Sequence, residues 1–122
     1  MPAKKDPATR FRAICLALPS TYEREAWGHP TFRIGKDPGG PGKMFASMAD
    51  DGSQATMKAD PDERPALLAD PDRFFLPDYV GSKGWVGVRL AGKGTDWDDV
   101  AELVRTSFLF IAPKRIAAEL DD

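Results

Sequence analysis

The chain has 122 residues, with 17 basic and 19 acidic side chains, a net charge of −2 and an isoelectric point near 5.4. One cysteine and one histidine exclude an internal disulfide, a cysteine-based zinc site and an internal two-histidine metal site, and no cofactor motif is present. No apolar run approaches the ~18 residues of a membrane helix, and no apolar stretch follows the N-terminal lysines as in a signal peptide, so a cytoplasmic protein without membrane contact is expected. The length suits one domain over residues 1–122, and an apolar fraction of 42% with 30% charged residues excludes a disordered chain.

Asp6-Pro7 reads as a helix start, an N-cap acid with proline in the first turn. Phe11, Ile14, Cys15 and Leu18 recur at helical spacing, predicting an amphipathic helix over 7–18 stopped by Pro19. Residues 22–27 alternate as a strand, with Tyr22, Arg24 and Ala26 on one side and Glu23, Glu25 and Trp27 on the other. Gly28-His29-Pro30 reads as a turn or kink before a second strand over 31–34. The Gly/Pro-rich residues 36–42 form a loop. Strands over 43–49 and 54–58 follow, joined at Asp50-Asp51-Gly52. Alternation puts Met44, Ala46 and Met48 on one face and Lys43, Phe45 and Ser47 on the other. A short helix opens at Asp60-Pro61, an apolar Phe74-Phe75-Leu76 segment follows, and 85–90 is a strand. Asp96 caps a long helix with the stripe Val100, Leu103, Val104, Phe108 and Ile111, broken by Pro113 before a last short helix. This order predicts an α+β two-layer sandwich: an antiparallel sheet of five to six strands, with the N- and C-terminal helices on one face.

Charge is uneven. Residues 1–43 carry eight basic and four acidic side chains, and residues 44–122 carry nine and fifteen. An isoelectric point this low argues against purely electrostatic binding of nucleic acid. Residues 35–43 have the glycines of a phosphate loop but neither the Ser/Thr after Lys43 nor a following helix. His29 is the one general-base candidate, in Trp27-Gly28-His29-Pro30. Cys15 falls on an apolar helix stripe, as a structural thiol does. Most acidic pairs fall at turns and helix starts, where capping accounts for them. The remaining constellation is basic and aromatic. Lys43, Lys58, Arg33 and Arg89 lie on predicted strands near Trp27, Phe45 and Trp85, and a sheet presenting such groups can contact nucleic-acid backbone and bases. Lys43 and Lys58 stand on adjacent strands of one hairpin, and on a shared face they could hold one phosphate.

These residues resemble the MmcQ/YjbR family of small bacterial proteins. The matching stretches are Leu18-Pro19, Glu23 and Glu25 before Trp27-Gly28-His29-Pro30-Thr31-Phe32, and Gly42-Lys43-Met44-Phe45-Ala46. Lys58 with Pro61, Tyr79 ahead of Lys83-Gly84-Trp85-Val86, and Leu109-Phe110 with Ala112-Pro113 complete them. The chain departs from the family pattern at 36–42 and at Val80-Gly81-Ser82. The resemblance implies a CyaY-like, frataxin-like α+β fold and a DNA-binding role through β-wings. It also carries a formyltransferase label that no motif here supports. The functional expectation is a binding module for nucleic acid using the Lys43/Lys58 hairpin, with Arg33, Trp27, His29 and Trp85 as further binding candidates. The alternative is an enzyme or binding protein for a small anionic ligand near Trp27 and His29.

Overall fold

The computed structural model describes residues 6–35, 42–78, 83–92 and 94–120; the sequence features at 1–5, 36–41, 79–82 and 121–122 lie outside the described residues. Helix α1 (Pro7–Leu16) starts where Asp6 accepts from the Thr9 amide at 2.7 Å, a bond that holds the Asp6 carboxyl below its ordinary pKa. It ends two residues earlier than the apolar spacing predicts. Leu18 precedes Pro19 and leaves the helical region, and the Thr21 hydroxyl is within donor distance of the Cys15 and Leu18 carbonyls, at 3.0 and 2.7 Å.

Strands β1 (Thr21–Ala26), β2 (His29–Ile34), β3 (Lys43–Met48) and β4 (Gln54–Lys58) form an antiparallel meander. The chain then passes through α2 (Arg64–Leu68) and β5 (Phe74–Phe75), and β6 (Trp85–Arg89) inserts between β4 and β5. The six-stranded order is β1-β2-β3-β4-β6-β5. Helices α3 (Trp97–Ile111) and α1 pack together on one face, α3 over β3 and β4 and α1 beside β1; α4 (Lys114–Glu119) follows. This is the α+β arrangement the sequence predicts. Among the described residues no helix is long and apolar enough to cross a membrane.

The first hairpin turns one residue earlier than expected. Trp27 and Gly28 occupy the turn with φ of 54° and 82°, the positive pair that a type I′ turn demands, and His29 and Pro30 already belong to β2. Pro30 is tolerated there. The pair next to the turn-closing Ala26–His29 pair exchanges no hydrogen bonds in an antiparallel ladder, and pairing with β3 begins only at Thr31.

The β2–β3 register slips between Phe32–Ala46 and Arg33–Met44, leaving Phe45 as the extra residue of a β-bulge. Strict alternation therefore fails in β3. Phe45 joins Ala46 and Met48 in the core, where its ring meets Phe108 edge-on at 5.8 Å, while Phe11 meets Phe32 at 5.6 Å. Beyond Ala46–Met57 the β3–β4 ladder stops. Ser107 of α3 fills the gap: its buried hydroxyl accepts from the Lys58 amide at 2.9 Å and donates to the Phe45 carbonyl at 2.6 Å. Cys15 lies in the same core, and burial pushes its thiol well above the ordinary pKa, as befits packing rather than chemistry.

Replacing Ser107 with Ala strands a buried donor and a buried acceptor together, so it should cost about 1–3 kcal/mol in urea unfolding. Phe108→Ala, which opens a cavity under Phe45, should cost about 3–5 kcal/mol in the same assay; a loss below ~1 kcal/mol would put that ring outside the core.

Candidate functional site

Cross-strand partners share a face, so the register sorts every strand residue. One row crosses all six strands on the face away from the helices: Arg24–Thr31–Ser47–Thr56–Gly87–Phe75. Its hydroxyls are fixed. Ser47 and Thr56 share a hydrogen bond of 2.6 Å, Thr31 donates to the Arg24 carbonyl, and Arg33 Nε donates to Thr31 at 3.0 Å. At the end of the row the outer end of the Phe75 ring packs against Gly87, where a Cβ would come within 2.2 Å of it. The Arg89 guanidinium lies 5.0 Å from the Phe75 centroid.

The same register separates charge. On the described strands the open face carries Arg24, Arg33, Lys58 and Arg89 and no acid. The two acids of the strands, Glu23 and Glu25, have the opposite parity, and Glu23 pairs with Arg12 of α1 at 2.7 Å. A cleft of about 960 Å³ lies on the open face. Trp27 and His29 stand at one side, Ser47, Gln54 and Thr56 form its floor, and Phe75, Leu76, Pro77, Asp78 and Lys83 form the other wall. A second cleft of about 810 Å³ lies between α1 and α3, where Arg10 is 4.7 Å from the Trp97 ring and Asp98 stands beside it. It lies on the helix side, away from the strand-borne cations of the open face.

The candidates named from sequence divide. Arg33, Trp27 and His29 come together: the Arg33 guanidinium is 5.9 Å from the Trp27 ring and the His29 ring is 6.2 Å from it. Trp27 is not the strand residue expected beside Glu23 and Glu25; it is the hairpin tip, 76% exposed. Trp85 is buried opposite Lys58 on the open face, with its carbonyl accepting from Arg64 Nε at 3.1 Å, and so offers no ring face to a ligand. Lys58 and Lys43 do stand on adjacent strands. The bulge, however, sets Lys43 opposite core Ile34, on the helix side, while Lys58 faces the open side, so they do not form one phosphate clamp. Arg24 on the same face, and Phe75 and Lys83 in the cleft, join these candidates without having been among those named from sequence.

The family model YjbR matches residues 16–110. The chain belongs to the YjbR family. The matched span takes in the open sheet face from β1 to β6 and most of α3. Among solved structures, this YjbR protein is similar to Deinococcus radiodurans protein DR2400, which carries the domain DUF419. The two share 24% identity with a TM-score of 0.75, over 97% of this chain and 92% of the other, a likeness of fold. No curated protein matches the chain.

Gly87→Ala should drive Phe75 off the sheet floor and destabilise the protein by about 1–3 kcal/mol, because the added methyl has backbone-fixed direction. Thermal melts of Gly87→Ala, Phe75→Ala and the double variant check this: the two changes should be strongly non-additive, and additive losses would mean the ring does not rest on Gly87.

Proposed function

We propose that this YjbR protein is a non-catalytic binding module whose open sheet face takes a polyanion, with nucleic acid as the ligand class. The observation that carries this reading is the charge sorting by strand parity: four strand-borne cations on one face and both strand acids on the other. A chain of net charge −2 has no long-range field to attract phosphate, so attraction has to be local to this face. Lys83 adds a cation at the cleft rim and Asp78 one acid. The paired hydroxyls on the floor provide neutral donors and acceptors suited to a backbone or a base edge. The Lys43/Lys58 wing is replaced in this reading by the face that Lys58 shares with Arg24, Arg33 and Arg89.

A second reading rests on the cleft itself. Its volume and its mix of Met44, Phe75, Leu76 and Pro77 with a few polar groups suit a small anionic ligand beside His29.

Titration of a labelled oligonucleotide at ~50 mM salt should show binding tighter than ~10⁻⁴ M that weakens with salt. Replacing Lys58 and Lys83 with Gln should lower the magnitude of the salt slope by about 0.7 per lost phosphate contact on a single strand. Lys43→Gln should leave the slope unchanged. Absence of binding in this range, or an equal effect of Lys43→Gln, would overturn the polyanion reading. Loss of inorganic-phosphate binding in the double variant, with no binding of oligonucleotide by the parent protein, would favour the small anion.

A further inference from the structure

Trp27 sits where its residue type is least expected. The first position of a two-residue turn with positive φ favours Asn, Asp or Gly, because a Cβ is strained in the left-handed region. Trp27 holds φ at 54° and leaves 76% of its surface in solvent, so burial does not offset the strain. A strained, exposed aromatic with no packing role points to a task outside the fold. The indole also has oriented neighbours. The His29 ring lies 6.2 Å away at 35°, and the Arg33 guanidinium lies 5.9 Å from it, both carried by β2.

The other end of the face repeats this pairing of ring and guanidinium. Phe75 rests on Gly87 with Arg89 at 5.0 Å, on the far edge of the sheet. From β2 to β5 the sheet advances four strand spacings, roughly 19 Å at ~4.8 Å each. Between the two rings lie the hydroxyls of Ser47 and Thr56, and Lys58 occupies the same face of β4. A duplex keeps its base faces stacked inside, so it offers phosphates and groove edges but no free ring face. An unpaired strand can lay one base on each ring while its phosphates cross the cationic floor.

We propose that the open sheet face is shaped for an unpaired nucleic-acid strand, with Trp27 as the stacking platform for one base and Phe75 for another farther along the strand. This rests on the polyanion reading above and adds to it the strandedness of the ligand and the group that selects it.

The test compares one oligonucleotide of about ten nucleotides, within the range such surfaces occupy, in single-stranded, duplex and abasic form by fluorescence anisotropy. The single strand should bind at least tenfold tighter than the other two. Trp27→Asn suits the left-handed turn, so its melting temperature should equal or exceed that of the parent. Its affinity for the single strand should fall about 5- to 150-fold, the range for loss of one base stack, with the salt slope unchanged. Trp27→Phe should recover most of the affinity. Equal binding of the abasic strand or the duplex, or undiminished binding by Trp27→Asn, would overturn the stacking proposal. If the Lys58 and Lys83 variants still flatten the salt slope in that event, the polyanion reading stands without it; if none of the three ligands binds, that reading falls first.

Discussion

A single extra residue in β3 governs how this sheet is built. Because Phe45 has no partner in β2, the strand changes parity there, and both Phe45 and Ala46 turn into the core. The large ring gains Phe108 as a neighbour. Arg33 and Met44 are left on the open face, and Lys43 is turned to the helix side. The same shift breaks the ladder to β4, which exposes the Phe45 carbonyl and the Lys58 amide inside the protein. Buried backbone groups must find partners. Ser107 supplies both bonds with one hydroxyl, and α3 is thereby pinned over the seam between β3 and β4.

What the bulge and the register produce is a basic surface on an acidic protein. The two halves of the sequence differ in charge, yet the division in space follows strand parity rather than chain half. Glu25 and Glu23 share the helix side, where Glu23 meets Arg12, and the arginines of β1, β2 and β6 look the other way. Like charges gathered on one face repel, and the structure tempers this by placing aromatic rings beside two of them, Trp27 by Arg33 and Phe75 by Arg89. Both rings owe their positions to glycine neighbours. Gly28 completes the left-handed turn, and Gly87 leaves the space in which Phe75 lies.

Much of the fold is legible in the residues because local signals agree with it. Asp6 and Asp96 cap the helices they appear to cap on paper, the Val100–Leu103–Val104–Phe108 stripe is the buried face of α3, and Asp50-Asp51-Gly52 closes a hairpin. The site is less legible, for reasons that can be named. In residues 43–49 the alternation is broken by the apolar run Met44-Phe45-Ala46, but the run by itself does not say which of the three is the extra residue. Pro30 reads as a breaker, which moves the apparent turn away from Trp27, a residue seldom found with positive φ. One signal was available for the seam: Ser107 falls on the apolar stripe of α3 beside Phe108, and a polar residue at that phase needs a partner. Phe75 belongs to a strand of two residues, too short for any periodicity to show which way its ring points.

The hydroxyl of Ser107 also sets an order of events. Its two partners lie 49 and 62 residues earlier in the chain. The β3–β4 hairpin can close near its turn from local contacts alone, but the open end has its protein partner only once α3 arrives. Contacts of such long separation form late, because the entropy of closing the intervening loop is lost before the bond returns anything. During synthesis β1 to β4 leave the ribosome before α3, so until that helix docks the Phe45 carbonyl and the Lys58 amide have water in place of the Ser107 hydroxyl. The seam between β3 and β4, not the outer strands, is in this sense the last part of the sheet to be closed.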